Sequence, residues 1–343
     1  MQPRVVSAGV VAFALSVFSA WAGGTVMAEE AKPLRWATSS VGTSAYRALV
    51  SLSTLLNRKF DGYDITVLPT AGNAASLRGF AAGQFDGYTA ADIAFHEIAH
   101  DTGRYKGFKA QRPLVQSFWA FTYEVGLGVR KEEADKYSCW SDLRGRPVYT
   151  SPAPWDTRAA LEGAMNAVGV GHKYVEIDKG LAGSFLNEGT IDGMIIYTAG
   201  RRGPAPWIAE AMLAADIGIL NPCDKEIAKL NAAGIDVVDV DAHVFNGDVG
   251  VGTAKFVPLY VGFHLGLDIP EEDVYAMLNT IKDNAAALAA SDPSFSQTAA
   301  DMVGLQRRAI MATGETVAIH PGLARFLREN NGWDDAWNDR IAR

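Results

Sequence analysis

The stretch Leu34-Arg35-Trp36-Ala37-Thr38-Ser39-Ser40-Val41-Gly42-Thr43-Ser44-Ala45-Tyr46 sets the reading of the whole chain. Residues 34–37 are a short apolar strand, which runs into a loop of small hydroxyl residues around one glycine. From Ser44 to Asn57 the apolar residues Leu49, Leu52, Leu55 and Leu56 recur at helical spacing. Strand, hydroxyl-rich loop, helix: the same unit recurs outward from this point. Strands are predicted at 65–68 and 85–89, followed by helices at 74–82 and 92–100, with Gly83 and Gly103 as stops. A long β-rich apolar stretch covers 114–129. Alternation then resumes, with strands at 147–150, 173–177, 191–196, 217–220 and 237–240. The helices between them fall at 157–168, 181–187, 207–214 and 224–232. Residues 249–267 read as extended, and the chain from Pro270 on as mainly helical.

Such alternation builds parallel-rich sheets with helices on both faces, an α/β class. Two blocks joined by extended segments near 123–130 and 241–252 predict two lobes. Residues 29–125 would begin the first lobe and 126–248 would form the second. Residues 249–343 would return to the first and add the C-terminal helices. Length agrees: even without its first 28 residues the chain exceeds the roughly 250–300 residues at which a single core stops growing.

The N-terminus reads as an export signal. Arg4 is the only charge before Glu29, the run from Val5 to Phe18 is apolar, and small residues follow. Val26-Met27-Ala28 is the favoured cleavage site, so residues 1–28 are predicted to be a signal peptide and the mature protein periplasmic. The apolar run falls short of the roughly 20 residues that span a bilayer. With 31 basic and 39 acidic residues, the net charge of −8 and the absence of a basic cluster argue against nucleic acid and anionic lipid as partners. Cys139 and Cys223 are equally compatible with a disulfide, in an oxidising compartment, or with buried thiols.

Ligands of open parallel sheets sit at the carboxyl ends of strands, beside helix starts. Those positions here carry Ser40, Thr43, Ser44 and Tyr46 after the first strand, and Gly72 and Asn73 after the second. Asp92 follows the third, and Ser151, Trp155, Asp156 and Thr157 open the first helix of the second block. Free N–H groups and hydroxyls at helix starts favour carboxylates and other anions, although Ser, Thr, Asp and Asn are also the ordinary caps. Arg201, after the strand end Tyr197-Thr198-Ala199-Gly200, is a candidate for bidentate pairing with a ligand carboxylate. These loops together predict a small anionic or zwitterionic solute.

His96-Glu97-Ile98-Ala99-His100 has the spacing of a helical zinc site. The longer form of that motif needs a third ligand where this chain has Lys106, an ammonium. Glu124 is the remaining substitute, in a predicted strand. A zinc hydrolase is therefore disfavoured, and neither a metal nor a cofactor is expected. Phosphate-binding loops, serine elbows and dinucleotide fingerprints are missing from the sequence.

Residues 37–46 resemble the Gly/Ser/Thr-rich opening of the TAXI-type solute receptors of TRAP transporters. The likeness continues in order through Thr70-Ala71-Gly72-Asn73-Ala74-Ala75-Ser76-Leu77-Arg78, residues 80–86 and Ala91-Asp92-Ile93-Ala94. It resumes at residues 141–148 and Ile191-Asp192-Gly193-Met194, and ends at His320-Pro321-Gly322. The resemblance implies a type II periplasmic-binding fold and delivery of a bound solute to membrane-embedded permease subunits, driven by an ion gradient. It implies a binding protein, expected to act as a monomer, and no enzyme. Two loops depart from the family pattern. Val41-Gly42 replaces a double glycine, and Pro154-Trp155-Asp156 stands in a loop usually made of small residues. Trp155 is expected either to stack on the ligand or to pack as a lid against the other lobe. An enzyme on the same scaffold, or a receptor serving an ABC importer or a sensor, are the alternatives.

Overall fold

In β1 (Lys32–Thr38) the residues turn from exposed to buried as the strand enters the core, and Leu34 and Trp36 anchor it. The computed structural model describes residues 31–315 and 317–343; the expected signal peptide lies outside the described residues. Three strand–helix units open the chain. They are β1 with α1 (Ser44–Lys59), β2 (Tyr63–Pro69) with α2 (Asn73–Ala81), and β3 (Gly87–Ala91) with α3 (Asp92–Ala99). β1 lies parallel between β2 and β3. A short β4 (Val115–Gln116) precedes the long β5 (Trp119–Arg130).

The second run holds β6 (Pro147–Tyr149), α4 (Asp156–Ala167), β7 (Lys173–Tyr174), α5 (Ala182–Asn187) and β8 (Gly193–Ala199). It goes on through α6 (Pro206–Ala214), β9 (Ile217–Leu220), α7 (Asp224–Ala232) and β10 (Val238–Asp241). β11 (Thr253–Leu265) then leads to α8 (Glu271–Asp283), α9 (Ala285–Ser291), α10 (Ser296–Ala312), β12 (Ala318–Ile319) and α11 (Pro321–Glu329).

One ten-stranded sheet runs in the order β2-β1-β3-β11-β5-β8-β6-β7, with β10 on β11 and β9 on β5, and β12 pairs with β4 in a second, two-stranded sheet. The outer strands are parallel, whereas β5 and β11 are antiparallel to their neighbours. These two long strands connect the ends of the sheet. β11 pairs with β10 from Thr253 to Phe256, and with β3 from Val261 to Leu265. β5 pairs with β11 through Val125 and with β8 from Tyr123 onward. The second extended crossing, expected at 241–252, is instead a short 3-10 turn and loop, and the connecting strand is Thr253–Leu265. Polar residues and the tight Asn246 turn, at φ +56°, end the strand before it can cross.

Cys139 and Cys223 are joined by a disulfide that spans 84 positions, with Cα atoms 5.0 Å apart. His320-Pro321-Gly322 is a structural cap. The His320 ring accepts from the Gly322 N–H at 3.1 Å, and a Cβ on Gly322 would lie 2.7 Å from the Glu271 carbonyl, so α11 packs on α8 only with glycine there. No described helix is long and apolar enough to cross a membrane.

Candidate functional site

The helix starts of α1, α2 and α4 meet at a seam between the two ends of the sheet. Thr43 caps α1, accepting from the Tyr46 N–H at 3.2 Å while its hydroxyl lies 2.5 Å from that of Ser39. α2 starts behind Gly72 and α4 behind Trp155, and neither has a side chain accepting at its start. The N–H groups that open these helices, with the positive end of each, therefore lie at the seam, although the Ala75 N–H is already bonded to the Gly72 carbonyl.

Direct contacts close it. Asn73 Nδ2 donates to Asp156 Oδ2 at 2.8 Å, and Trp155 Nε1 donates to the Ala71 carbonyl at 3.1 Å. Arg104 donates to Asp156 Oδ1 at 2.6 Å and to the Pro154 carbonyl at 3.2 Å, and its other nitrogen lies 2.7 Å from Glu97. Burial works against the Arg104 charge, but Asp156 and Glu97 outweigh it and hold the guanidinium pKa above its ordinary value. The Trp155 ring packs over Gly72, where a Cβ would lie 3.1 Å from the indole, and meets Trp207 edge-on at 6.4 Å.

Two tyrosines form the floor. Tyr123 accepts from the Ala45 N–H at 3.0 Å and Tyr197 from Trp207 Nε1 at 2.7 Å. Because each hydroxyl accepts, each keeps its own proton to donate. Burial raises both phenol pKa values, so both stay protonated. The cavity among Ser39, Thr43, Gly72, Asn73, Tyr123, Trp155, Asp156, Thr157 and Tyr197 is about 20 Å³. That is room for about one water.

Of the residues singled out in the sequence, Thr43, Gly72, Asn73, Trp155, Asp156 and Thr157 line this cavity. Ser151, at φ +88°, stands behind it and pairs its hydroxyl with Thr157 at 3.1 Å. The Ser44 hydroxyl is buried at the start of α1 without a partner. Ser40, Tyr46 and Asp92 do not line the cavity. The Ser40 carbonyl accepts from Thr43, Tyr46 contributes its backbone N–H to the cap, and Asp92 accepts from the Ile93 N–H at 2.8 Å. Burial, with a smaller push from the Asp156 charge, raises Asp92 to about 7. Arg201 is not at the seam: at φ +57° it turns onto the reverse face of β5.

Arg104, Tyr123 and Tyr197 escaped the sequence reading. The alternation along β5 that puts Tyr123 on one face and its neighbours on the other was the signal available. In the zinc-like motif, the His96 and His100 rings lie 4.2 Å apart, tilted by 35°, and Glu97 is bound to Arg104. Among the described residues the one cluster of metal-type donors is Cys139, Cys223 and Glu226, whose sulfurs are bonded to each other.

The NMT1-like family model matches residues 36–331. A search of curated proteins finds no match. Among solved structures, the periplasmic binding protein BugD superposes with a TM-score of 0.52 at 12% identity, covering 88% of this chain and 98% of its own. MatC from Rhodopseudomonas palustris with bound malate gives 0.49 at 12% identity, covering 83% and 99%. The alkanesulfonate-binding protein SsuA from Xanthomonas axonopodis pv. citri, bound to MOPS, gives 0.46 at 15% identity, covering 83% and 85%. The mixed α/β architecture, with its parallel-rich sheet, is that of periplasmic binding proteins.

Proposed function

This chain belongs to the NMT1-like family, and from that premise we propose that it is a periplasmic solute-binding protein for a small organic anion or zwitterion. The observation that carries the reading is the convergence of three helix starts and two hydroxyl donors on one seam. Such a set stabilises negative charge without a metal. Asp156, held by Arg104 and Asn73, gives the same site an acceptor suited to an amine.

A pocket for a small organic molecule usually needs several hundred Å³, far above the present cavity. Binding therefore requires the seam to part and close again over the solute. We assign the two lobes as residues 29–125 with 249–343 and residues 126–248, with β5 and β11 as the hinge. Ligand preference for the closed arrangement then biases a two-state motion. The resemblance to TAXI receptors supports delivery to a TRAP permease rather than an ABC importer.

A thermal-shift screen of dicarboxylates, amino acids and sulfonates, followed by calorimetry, tests the binding reading. A stoichiometric ligand with micromolar or tighter affinity is expected. With that ligand, Trp155→Ala should weaken binding by roughly 1–3 kcal/mol, the scale for burying a large apolar side chain. Turnover of any screened compound, or an affinity indifferent to Trp155, Asn73 and Thr157 variants, would remove the seam as a solute site.

A further inference from the structure

β5 carries the seam on one face only. Tyr123 faces the seam, and by strand alternation Thr122 and Glu124 face the other way. On that reverse face lies a groove of about 570 Å³, within the size range of small-molecule sites. Its walls come from Thr122 of β5, the β8–α6 turn, the approach to β10, the centre of β11 and α10 from Ser296 to Arg308.

The β8–α6 turn is fixed in an uncommon geometry. Gly200 has φ +65°, and a Cβ there would lie 2.4 Å from the Ser294 carbonyl. Arg201 follows at φ +57°, a conformation that costs a non-glycine residue free energy unless its surroundings enforce it. Glu124 enforces it. This fully buried carboxylate accepts from the Arg201 N–H at 3.0 Å and from Thr198 at 2.5 Å, and also from the Thr122 hydroxyl. The Arg201 guanidinium is held only loosely, 3.8 Å from Glu124 and about half exposed, which leaves its donors for the groove. Arg202 makes no ion pair among the described residues.

On the far wall Arg308 pairs with Asp301 at 3.2 Å. Asp301 departs from helical geometry and breaks α10 at that point. Asp236 is exposed at the rim, and three arginines against Asp236 and Asp301 leave the lining cationic on balance. Pro258, Leu305 and the ring of Tyr260 add apolar surface to the same lining.

We propose that this groove is a second ligand site, for a small organic dianion with a flat apolar body, held by Arg201 and Arg202 at one end and by Arg308 at the other. Guanidinium groups suit carboxylates because they donate two parallel bonds. The site is independent of the seam, and its occupant touches both the turn after β8 and the helix α10.

The probe is phthalate, titrated calorimetrically into the full mature chain at low ionic strength, with succinate and sulfate in parallel. Saturable one-site binding is expected, phthalate at least ten-fold tighter than sulfate. Arg202→Ala and Arg308→Ala should each weaken it ten-fold or more, and Ala300→Trp, which fills the groove from an exposed position, should abolish it. Thr157→Val, at the seam, should leave it unchanged. No saturable binding of phthalate overturns the proposal. So does binding that survives both arginine variants, or that is lost in Thr157→Val instead. Circular dichroism of each variant separates lost binding from lost fold.

Discussion

Glu124 is a carboxylate buried in the middle of β5, where its protonation is expected to couple folding to pH. Burial raises its pKa from an ordinary 4.5 to about 7, against the hydrogen bonds from Thr122, Thr198 and Arg201 that favour the charge. Between those two values the folded chain keeps a proton that the unfolded chain releases. The favourable contribution is therefore fully present below pH 4.5 and is lost as pH rises through 7. Asp92 acts in the same direction, from 3.8 to about 7. Glu124→Gln should make the decline in unfolding free energy between pH 5 and 8 shallower, by an amount on the order of 1–3 kcal/mol. Urea melts at both pH values measure it, and an unchanged slope would show that Glu124 does not titrate in this window. His264 works in the opposite sense. Burial lowers it to about 3, so its contribution is complete above pH 6.5 and fades as pH falls toward 3. In the sequence Glu124 stood out only as a substitute metal ligand, because nothing local announces which strand residue will be sealed inside.

At the scale of elements, the disulfide and Glu226 act as one fastening. Cys223 caps α7 and Cys139 caps the 3-10 turn Trp140–Leu143. The Glu226 carboxylate accepts from the N–H groups of Ser141 at 2.8 Å, Trp140 at 3.0 Å and Cys223 at 3.2 Å. Closing an 84-position loop stabilises by restricting the unfolded chain, typically by about 2–4 kcal/mol. Reduction, or the Cys139→Ser/Cys223→Ser pair, should lower the unfolding free energy by that amount, read from urea melts with and without reductant. Glu226→Ala should cost roughly 1–3 kcal/mol by leaving buried donors unpaired. Most elements were legible from periodicity, with Ile217–Leu220 and Asp224–Ala232 placed to the residue. β7 ended early, at Tyr174, because it sits at the edge of the sheet with one partner, β6. The disulfide stayed undecided in the sequence, since spacing alone does not say whether two distant caps meet.

At the scale of the molecule, Arg104 is the clasp between the sheet ends. Removing one partner of a buried ion pair commonly costs about 3–5 kcal/mol, because the other is left uncompensated. Under the proposed opening, Asp156, at 2% side-chain exposure, would have an escape that a core residue lacks, because parting of the seam would return it to water. Arg104→Ala should therefore enlarge the radius of gyration in small-angle scattering, with little loss of thermal stability. An unchanged radius with a much lower melting temperature would mean that β5 and β11 do not act as a hinge. The sequence by itself determined the strand and helix order, the hydroxyl-rich helix starts and the α/β class. Those signals span only a few residues, and hydrophobic period and capping chemistry act over that range. Tertiary structure alone decided which loops share a site. Pairing order across β5 and β11 brings Asn73 to Asp156 and Arg104 to Pro154, contacts between residues many positions apart. The same tertiary pairing chose faces: alternation on β5 sends Tyr123 to the seam, and the Gly200 turn, pinned against Ser294, carries Arg201 to the other side.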